Sequence, residues 1–187
     1  MKRNLFYPIG ILVAATILLP LTSCLDGILD TQPERYISDS ASITDEKSAE
    51  AALSGLYNKL QNTNYYGGAG FQGNIFLAGG DGVWTGTWDY LNHFVTHTYL
   101  SDNLSLYNSW LPVNSTINQA NHIIARVPEI SDPGFTAGER NMILGEALFV
   151  RALAYFDLAR TWGNVPVVLL PTTSVNDFNG VKQSNQT

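Results

Sequence analysis

The sequence has almost none of the residues on which disulfides, thiol chemistry and most metal sites depend. It contains one cysteine, Cys24, and three histidines in 187 residues. A single cysteine cannot form an intramolecular disulfide, so cysteine usage does not indicate a redox compartment. The sequence also contains no H-E-x-x-H, G-x-S-x-G, P-loop or Rossmann glycine pattern. These absences predict a protein that is not an enzyme and that needs no cofactor.

Basic residues are also few. Ten Lys and Arg residues stand against 16 Asp and Glu, and charged residues make up only 14% of the chain. A nucleic-acid-binding protein needs a basic face to neutralise phosphates, so this acidic composition excludes nucleic acid as a partner. The chain has no polybasic patch for a membrane surface either, so membrane attachment would need a different anchor.

The N-terminus supplies such an anchor. Lys2 and Arg3 precede an uncharged run over residues 5–21, which is the order of a secretory signal. The run ends in an aliphatic residue, two small residues and Cys24, which together form a lipobox. We therefore predict a lipoprotein signal peptide over residues 1–23 and lipidation of Cys24 by palmitate-type chains. Each buried methylene contributes about 0.8 kcal/mol, so two or three chains give stable anchoring.

The alternative interpretation of this segment is a transmembrane helix with a chance cysteine. Roughly 20 apolar residues span a bilayer, and this run is slightly shorter and contains Pro8 and Pro20. Cleavage before Cys24 would remove Lys2 and Arg3, leaving 8 basic residues against 16 acidic ones. The remaining 164 residues (187 less 23) suffice for one domain core. The first of them, 24–43, are predicted to form a lipid-anchored tether.

Two helices are predicted in the first two thirds of the chain. Thr44 is the expected N-cap of a helix over about residues 45–61, whose apolar residues recur with the period of one helix face. A second helix is expected over about residues 112–127, because Pro112 suits a first helical turn, where its missing N–H costs nothing.

The third helix has the clearest signals. Thr136 and Glu139 form a T-x-x-E capping box, and the helix is predicted to continue to Trp162, with Gly163 at its C-cap. Its residues are apolar almost all round, which predicts a helix buried on every side. A short extended run over residues 165–170 follows. These elements predict an all-α fold.

Residues 62–90 differ from the rest of the chain. Eight glycines lie between Asn62 and Gly86, interspersed with aromatic residues. Glycine disfavours helix by about 1 kcal/mol relative to alanine, so the segment is predicted to be irregular and not a regular helix. Binding residues are concentrated in loops of this kind.

The third predicted helix also carries a family resemblance. Residues 145–168 contain the pattern E-A-x-F-x-R-A-x-x-Y-F-x-L followed by Trp-Gly and Val-Pro, which resembles the signature of the SusD/RagB family. Trp110 followed by residues 117–124 resembles the family's W…I-x-x-A-N-x-I helix, and residues 52–58 resemble its A-x-x-G-x-Y helix. Pro112 is a departure, because the family usually continues a helix past the tryptophan.

The resemblance implies a fold, a location and partners. It implies tetratricopeptide-like helix pairs with long irregular loops that form the binding face. It further implies a surface-exposed lipoprotein of the cell outer membrane that binds oligosaccharide and delivers it to a TonB-dependent, SusC-like transporter. A peptide-binding, RagB-like member is the alternative within the family. Family members are several times longer than the mature chain, so residues 44–187 are expected to be the N-terminal part of a truncated SusD-like domain.

The aromatic residues of the glycine-rich segment give the best site hypothesis. Sugar rings stack their C–H faces on flat aromatic side chains, and their hydroxyls need carboxylate or amide partners nearby. We predict that the ligand-binding residues are Trp84, Trp88, Tyr90, Asp81 and Asn92. The alternative is that the two tryptophans, four residues apart, fill the scaffold or contact the transporter.

Other chemistry has weaker support. His93 and His97 lie four apart and could share a helix face as metal ligands, but no further ligand pattern supports a metal site. Glu146 and Arg151 on an apolar helix could act as an acid/base pair, although buried charges more often pair structurally. A glycoside hydrolase lipoprotein, with two carboxylates brought together by folding, is the alternative from another class, and a purely structural scaffold is a third.

Overall fold

The computed structural model describes residues 43–173 and the backbone of residues 181–183. Within these residues the chain forms five α-helices and one short pair of strands, so the predicted all-α fold is confirmed. The elements are α1 Glu46–Leu60, α2 Phe71–Ala78, α3 Asp89–Val95, α4 Leu104–Arg126, a 3₁₀ turn Val127–Glu129, α5 Ala137–Trp162, β1 Pro166–Val168 and β2 Val181–Gln183. The two strands pair antiparallel. The predicted signal peptide, the lipidation site Cys24 and the tether to residue 42 lie outside the described residues.

Helix α1 confirms the first predicted helix but not its cap. The N-cap is Asp45, not Thr44. The Asp45 carboxylate accepts the Ser48 N–H at 2.8 Å, and the Ser48 hydroxyl accepts the Asp45 N–H at 3.0 Å. This reciprocal pair satisfies two otherwise unpaired donors, which a cap at Thr44 would not do with these residues. The hydrogen bonds to Ser48 also lower the pKa of Asp45.

Helix α4 begins at Leu104, so the predicted start at Pro112 is wrong. Asn103 caps the helix, because its side-chain oxygen accepts the N–H groups of Ser105 at 2.9 Å and Leu106 at 3.3 Å. Pro112 lies inside the helix and cannot donate to the carbonyl one turn earlier, which normally costs several kcal/mol. The helix nevertheless continues through Pro112 and buries Ser105, Ser109 and Val113 on either side of it.

Helix α5 has the predicted ends but not the predicted burial. The Thr136–Glu139 capping box is present, and Gly163 ends the helix with a φ of 74°. The predicted burial on every side is wrong, because α5 packs on α1 and α4 with one face only. On the opposite face four apolar side chains are exposed: Met142, Leu148, Phe149 and Phe156.

Two hydrophobic clusters form the core. The first joins α1 to the C-terminal half of α4 and the N-terminal half of α5, and its members include Leu53, Leu56, Ile123 and Val150. The second joins α2 to the middle of α4 and the C-terminal half of α5, and its members are Tyr65, Phe71, Val113, Ile117, Ala154, Leu158 and Val165. None of the helices in the described part of the chain combines the length and the hydropathy that a bilayer crossing requires.

Polar side chains of α4 and α5 form hydrogen bonds with the backbone of the segment that follows α5. The Asn121 amide donates to the carbonyls of Val168 at 2.9 Å and Leu170 at 3.1 Å. The Arg151 guanidinium donates to the Asn121 side-chain oxygen at 2.8 Å, and Tyr155 exchanges two hydrogen bonds with the Val168 backbone. Arg151 therefore positions an asparagine, as the structural interpretation of its charge predicted.

Candidate functional site

The glycine-rich segment is partly helical, contrary to prediction. Helix α2, Phe71–Ala78, contains Gly73 and buries Phe71, Asn74 and Leu77 against the core. Burial of the two apolar side chains stabilises by roughly 1.5–3 kcal/mol each, which exceeds the cost of one internal glycine. Most of the glycines lie outside the helix, and Gly70 and Gly79 are its caps.

The glycines before α2 permit a close approach of two backbone segments. A Cβ at Gly67 would overlap the carbonyl group of Gln61, and a Cβ at Gly70 would overlap the backbone of Asn64. The loop between α1 and α2 folds back on itself only because these positions have no side chain. The glycines that argued against a helix in this segment are therefore needed mainly for the turn that precedes α2.

Three of the predicted site residues stack in one row. Trp84 and Trp88 lie with ring centroids 5.9 Å apart and an interplanar angle of 16°, and Trp88 and Tyr90 lie 5.9 Å apart at 11°. We call Trp84, Trp88 and Tyr90 the aromatic ladder. Trp88 is 57% exposed, whereas the other two rings are half-buried. A Cβ at Gly86 would overlap the Trp84 ring, so that glycine makes room for the ladder.

The two predicted polar partners are exposed but are not engaged with the ladder. Asp81 and Asn92 have solvent-accessible side chains that form no hydrogen bond with the described residues. The structure therefore brings together the three aromatic residues and leaves these two polar groups free to turn in solvent. The indole N–H of Trp84 is buried and has no acceptor within the same part of the chain.

A chain of buried polar side chains attaches the ladder to the helices. The Asn103 amide donates to the Tyr90 carbonyl at 2.8 Å. The Ser105 hydroxyl donates to the Asn74 side-chain oxygen at 2.7 Å, and the Asn74 amide donates to the Ser109 hydroxyl at 3.2 Å. These contacts tie α2, α3 and α4 together. Sequence reasoning missed them, since the only local signal was a run of small polar residues at helical spacing.

An open cavity of about 340 Å³ lies between α2, α4 and the C-terminal end of α5. We call it the α2 cavity. Its walls are mainly aromatic and aliphatic, and its polar lining comes from Asn74, Ser109, Arg160 and Thr161. The aromatic lining residues are Phe71, Phe94, Tyr99 and Trp162. The cavity was not predictable from the sequence, because its walls come from four separate segments.

A buried carboxylate lies behind the cavity. Asp157 is fully buried and accepts the phenol protons of Tyr65 at 2.7 Å and Tyr66 at 2.6 Å. Arg160, three residues further along α5, forms an ion pair with it at 2.8 Å. Burial, followed by the hydrogen bond to Asp157, raises the pKa of Tyr66 to about 12. The same causes raise the pKa of Tyr65 still further.

The remaining chemical candidates have structural partners. The Glu146 carboxylate accepts the phenol proton of Tyr57 at 2.7 Å, while Arg151 contacts Asn121, so the two do not form an acid/base pair. His93 lies in the last turn of α3, and His97 lies beyond it with a left-handed φ of 54°. Across residues 43–173 no three side chains of the metal-binding types come together.

Comparison with known proteins agrees with this architecture. A family model described as "SusD-like_3: Starch-binding associating with outer membrane" matches residues 29–185. The chain is 29% identical to a "SusD-like protein" of Bacteroides ovatus over 98% of this chain and 32% of that protein. It is 31% identical to "SusD-like protein P38" of Formosa agariphila over 79% of this chain and 27% of that protein.

The match is partial in one respect. The chain spans about a third of the length of the curated relatives that it matches. No solved structure matches the chain. The family model nevertheless covers most of its residues, and the signature residues form the helices and contacts described above. The chain therefore belongs to the SusD-like family, which is described as starch-binding in association with the outer membrane.

Proposed function

We propose that this protein is a non-catalytic surface lipoprotein of the outer membrane that binds an oligosaccharide and delivers it to a TonB-dependent, SusC-like transporter. The observation that carries the proposal is the aromatic ladder, with its exposed Trp88, in a chain whose family is described as starch-binding. The N-terminal lipobox supports the anchor, and the transporter is the partner implied by the family resemblance.

The ladder suits a sugar ring for two physical reasons. Trp88 stacks on a ring at each side but is still 57% exposed, so part of its flat apolar surface is open to a sugar. Aromatic pairs contribute roughly 0.5–1.5 kcal/mol beyond their buried area, and we take a C–H face on the indole to contribute a similar amount. The rings also hold one another in place, so little side-chain freedom remains to be lost on binding. Asp81 and Asn92 are exposed on the segments either side of the ladder and are free to accept or donate hydrogen bonds to hydroxyls. Affinity would come from stacking and hydrogen bonds, with no bond broken.

Two carboxylates of α5, Asp157 and Glu146, have structural partners, which favours a binding role over a catalytic one for this helix. Glycoside cleavage needs two carboxyl groups that face a common substrate. Asp157 is fully buried and engaged by three side chains, and Glu146 is engaged by Tyr57. Release of reducing sugar by the purified protein would instead favour the hydrolase alternative.

Ligand titrations of the full protein test the ladder. We expect saturable binding of a soluble glycan from a panel that includes maltoheptaose, measured by calorimetry and tryptophan fluorescence. Trp88→Ala should weaken that binding by about tenfold, the effect of losing one to two aromatic contacts. Tyr107→Ala is the matched control, because Tyr107 is 58% exposed on α4 and belongs to no described aromatic pair.

Three other results would contradict the proposal. Equal glycan affinities of Trp88→Ala and Tyr107→Ala would show that the ladder is not part of the binding site. Binding of peptides and of no glycan would establish the peptide-binding alternative. If the protein bound none of the glycans and peptides tested, a purely structural scaffold role would be supported.

The anchor and the transporter need separate tests. Metabolic labelling with palmitate should label the wild-type protein and not Cys24→Ala, and the variant should leave the outer-membrane fraction. A SusC-like transporter should co-purify with the wild-type protein after mild detergent extraction. Wild-type protein that incorporates no palmitate would refute the proposed lipid anchor. Wild-type protein that purifies without a SusC-like transporter would refute the proposed partner.

A further inference from the structure

The α2 cavity is separate from the ladder and has no role in the function proposed above. It has a volume of about 340 Å³, within the range of roughly 300–1,000 Å³ that small-molecule pockets occupy. Its rim includes Tyr99, which is 42% exposed and stacks on Phe94 with ring centroids 5.0 Å apart. The cavity is therefore open to solvent beside an aromatic wall.

The lining combines apolar walls with hydrogen-bond donors. Phe71, Phe94 and Trp162 provide apolar surface, while Asn74 and Ser109 lie at the buried side. The Ser109 hydroxyl accepts a hydrogen bond from Asn74 and has no acceptor of its own within the described residues. The Asn74 amide has a second N–H beyond the one that it gives to Ser109. The cavity therefore offers two donors beside aromatic surface.

The charge of the cavity excludes a strong preference for anions. Arg160 is its one charged lining residue, and that guanidinium is paired with Asp157 at 2.8 Å. The pair is neutral as a unit, so an incoming carboxylate or phosphate would meet no uncompensated positive charge. A neutral ligand with several hydroxyl oxygens and an apolar face fits these features best.

We propose that the α2 cavity is a second saccharide subsite, which takes one neutral pyranose ring. This inference rests on the proposed function, because it assigns the ligand of a second site to the same chemical class. The ring would pack against the exposed Tyr99 ring, which itself stacks on Phe94, and its hydroxyl oxygens would accept from Ser109 and Asn74.

The ladder and the cavity both include residues of α3. Trp88 caps the N-terminus of α3, and Phe94 lies in its last turn. A rise of 1.5 Å per residue places their backbones about 9 Å apart. A short oligosaccharide has the length to reach from one to the other, so occupancy of both would raise affinity through the effective concentration of the second contact.

A variant that fills the cavity tests the subsite. Ala78 lines the cavity at the end of α2, so Ala78→Leu adds bulk inside it without removing a hydrogen bond. Gln72→Leu adds an apolar side chain on the same helix away from the cavity and is the matched control. Glucose, galactose, mannose and xylose are the probes, with binding to the full protein measured by calorimetry and saturation-transfer NMR. Thermal melts confirm that each variant is folded.

The expected result is millimolar binding of at least one monosaccharide that Ala78→Leu abolishes and Gln72→Leu retains. Tyr99→Ala should weaken it by up to about tenfold, through loss of one aromatic contact. Equal binding by the two leucine variants, or no monosaccharide binding by the folded protein, would overturn the subsite.

The outcomes separate this inference from the proposed function. Maltoheptaose binding that is weakened by Trp88→Ala but not by Ala78→Leu would support the ladder as a binding site and refute the subsite. Monosaccharide binding that depends on Ala78, with no effect of Trp88→Ala on any glycan, would support the subsite and refute the ladder.

Discussion

Tyr65→Phe should destabilise the protein by about 2 kcal/mol. The Tyr65 ring is fully buried, and its hydroxyl donates to the Asp157 carboxylate at 2.7 Å. Hydrogen bonds to a charged group contribute about 1.5–3 kcal/mol when they are sheltered from water. The phenylalanine retains the ring and its packing, so the change isolates that hydrogen bond. Asp157 would keep Tyr66 and Arg160 as partners.

Asp157→Asn should cost more, about 3 kcal/mol. Loss of one member of a buried ion pair destabilises by 3–5 kcal/mol, and the lower value applies because Arg160 is partly exposed and can be solvated. The amide would also face the phenol donors with reduced accepting capacity. The double variant should show a coupling energy of about 1–2 kcal/mol, since Tyr65→Phe removes, and Asp157→Asn weakens, the same hydrogen bond.

Urea unfolding followed by circular dichroism measures these differences, with the slope m as the check that the compactness of both states is unchanged. Tyr57→Phe is the matched control. Tyr57 also donates at 2.7 Å to a carboxylate on α5, that of Glu146, but its side chain is 38% exposed. Its loss should cost less than about 1 kcal/mol. Equal costs for Tyr65→Phe and Tyr57→Phe would refute the argument that burial sets the strength of these bonds.

Three further outcomes follow from other contacts. The raised pKa of Tyr66 means that the protonated phenol stabilises the folded chain fully below pH 10, and that this stability is lost as the pH rises through about 12; wild type should exceed Tyr66→Phe in stability by a constant margin below pH 10, and the two stability curves should converge between pH 10 and about 12. Asn121→Ala removes two hydrogen bonds to backbone carbonyls and one from a guanidinium, so urea unfolding should show a loss of about 2–4 kcal/mol; a loss below 1 kcal/mol would refute this reading. Gly86→Ala places a methyl group against the Trp84 ring and should change tryptophan fluorescence and weaken glycan binding, whereas Gly55→Ala, whose Cβ meets nothing within 4 Å, should leave both unchanged.

The features that were predicted correctly from sequence are those with local causes. The capping box at Thr136 and the positive φ of Gly163 depend on residues within one or two turns, so helix α5 could be placed from its ends alone. The stacking of Trp84 on Trp88 was not predicted, although its cause is local, because the two rings lie on one short segment.

The features that were missed depend on distant residues. Helix α2 forms because Phe71 is buried against α4 and α5, and its composition alone argues against a helix. The start of α4 is an exception, because its cause is the local Asn103 cap, which accepts the N–H groups two and three residues ahead. The α2 cavity could not be predicted, since residues from Phe71 to Trp162 meet only after folding.

Pro112 has a consequence for how the molecule opens. It removes one backbone hydrogen bond of α4 at the boundary between two halves of the helix. The N-terminal half begins at the Asn103 cap and includes Ser105 and Ser109, and the C-terminal half packs on α1. The N-terminal half lines the α2 cavity and holds the Tyr90 carbonyl, while the C-terminal half belongs to the larger cluster. Backbone amides of the N-terminal half should exchange with deuterium sooner, as a separate cooperative unit. Such a division would let the binding elements diverge among relatives while the scaffold keeps its packing.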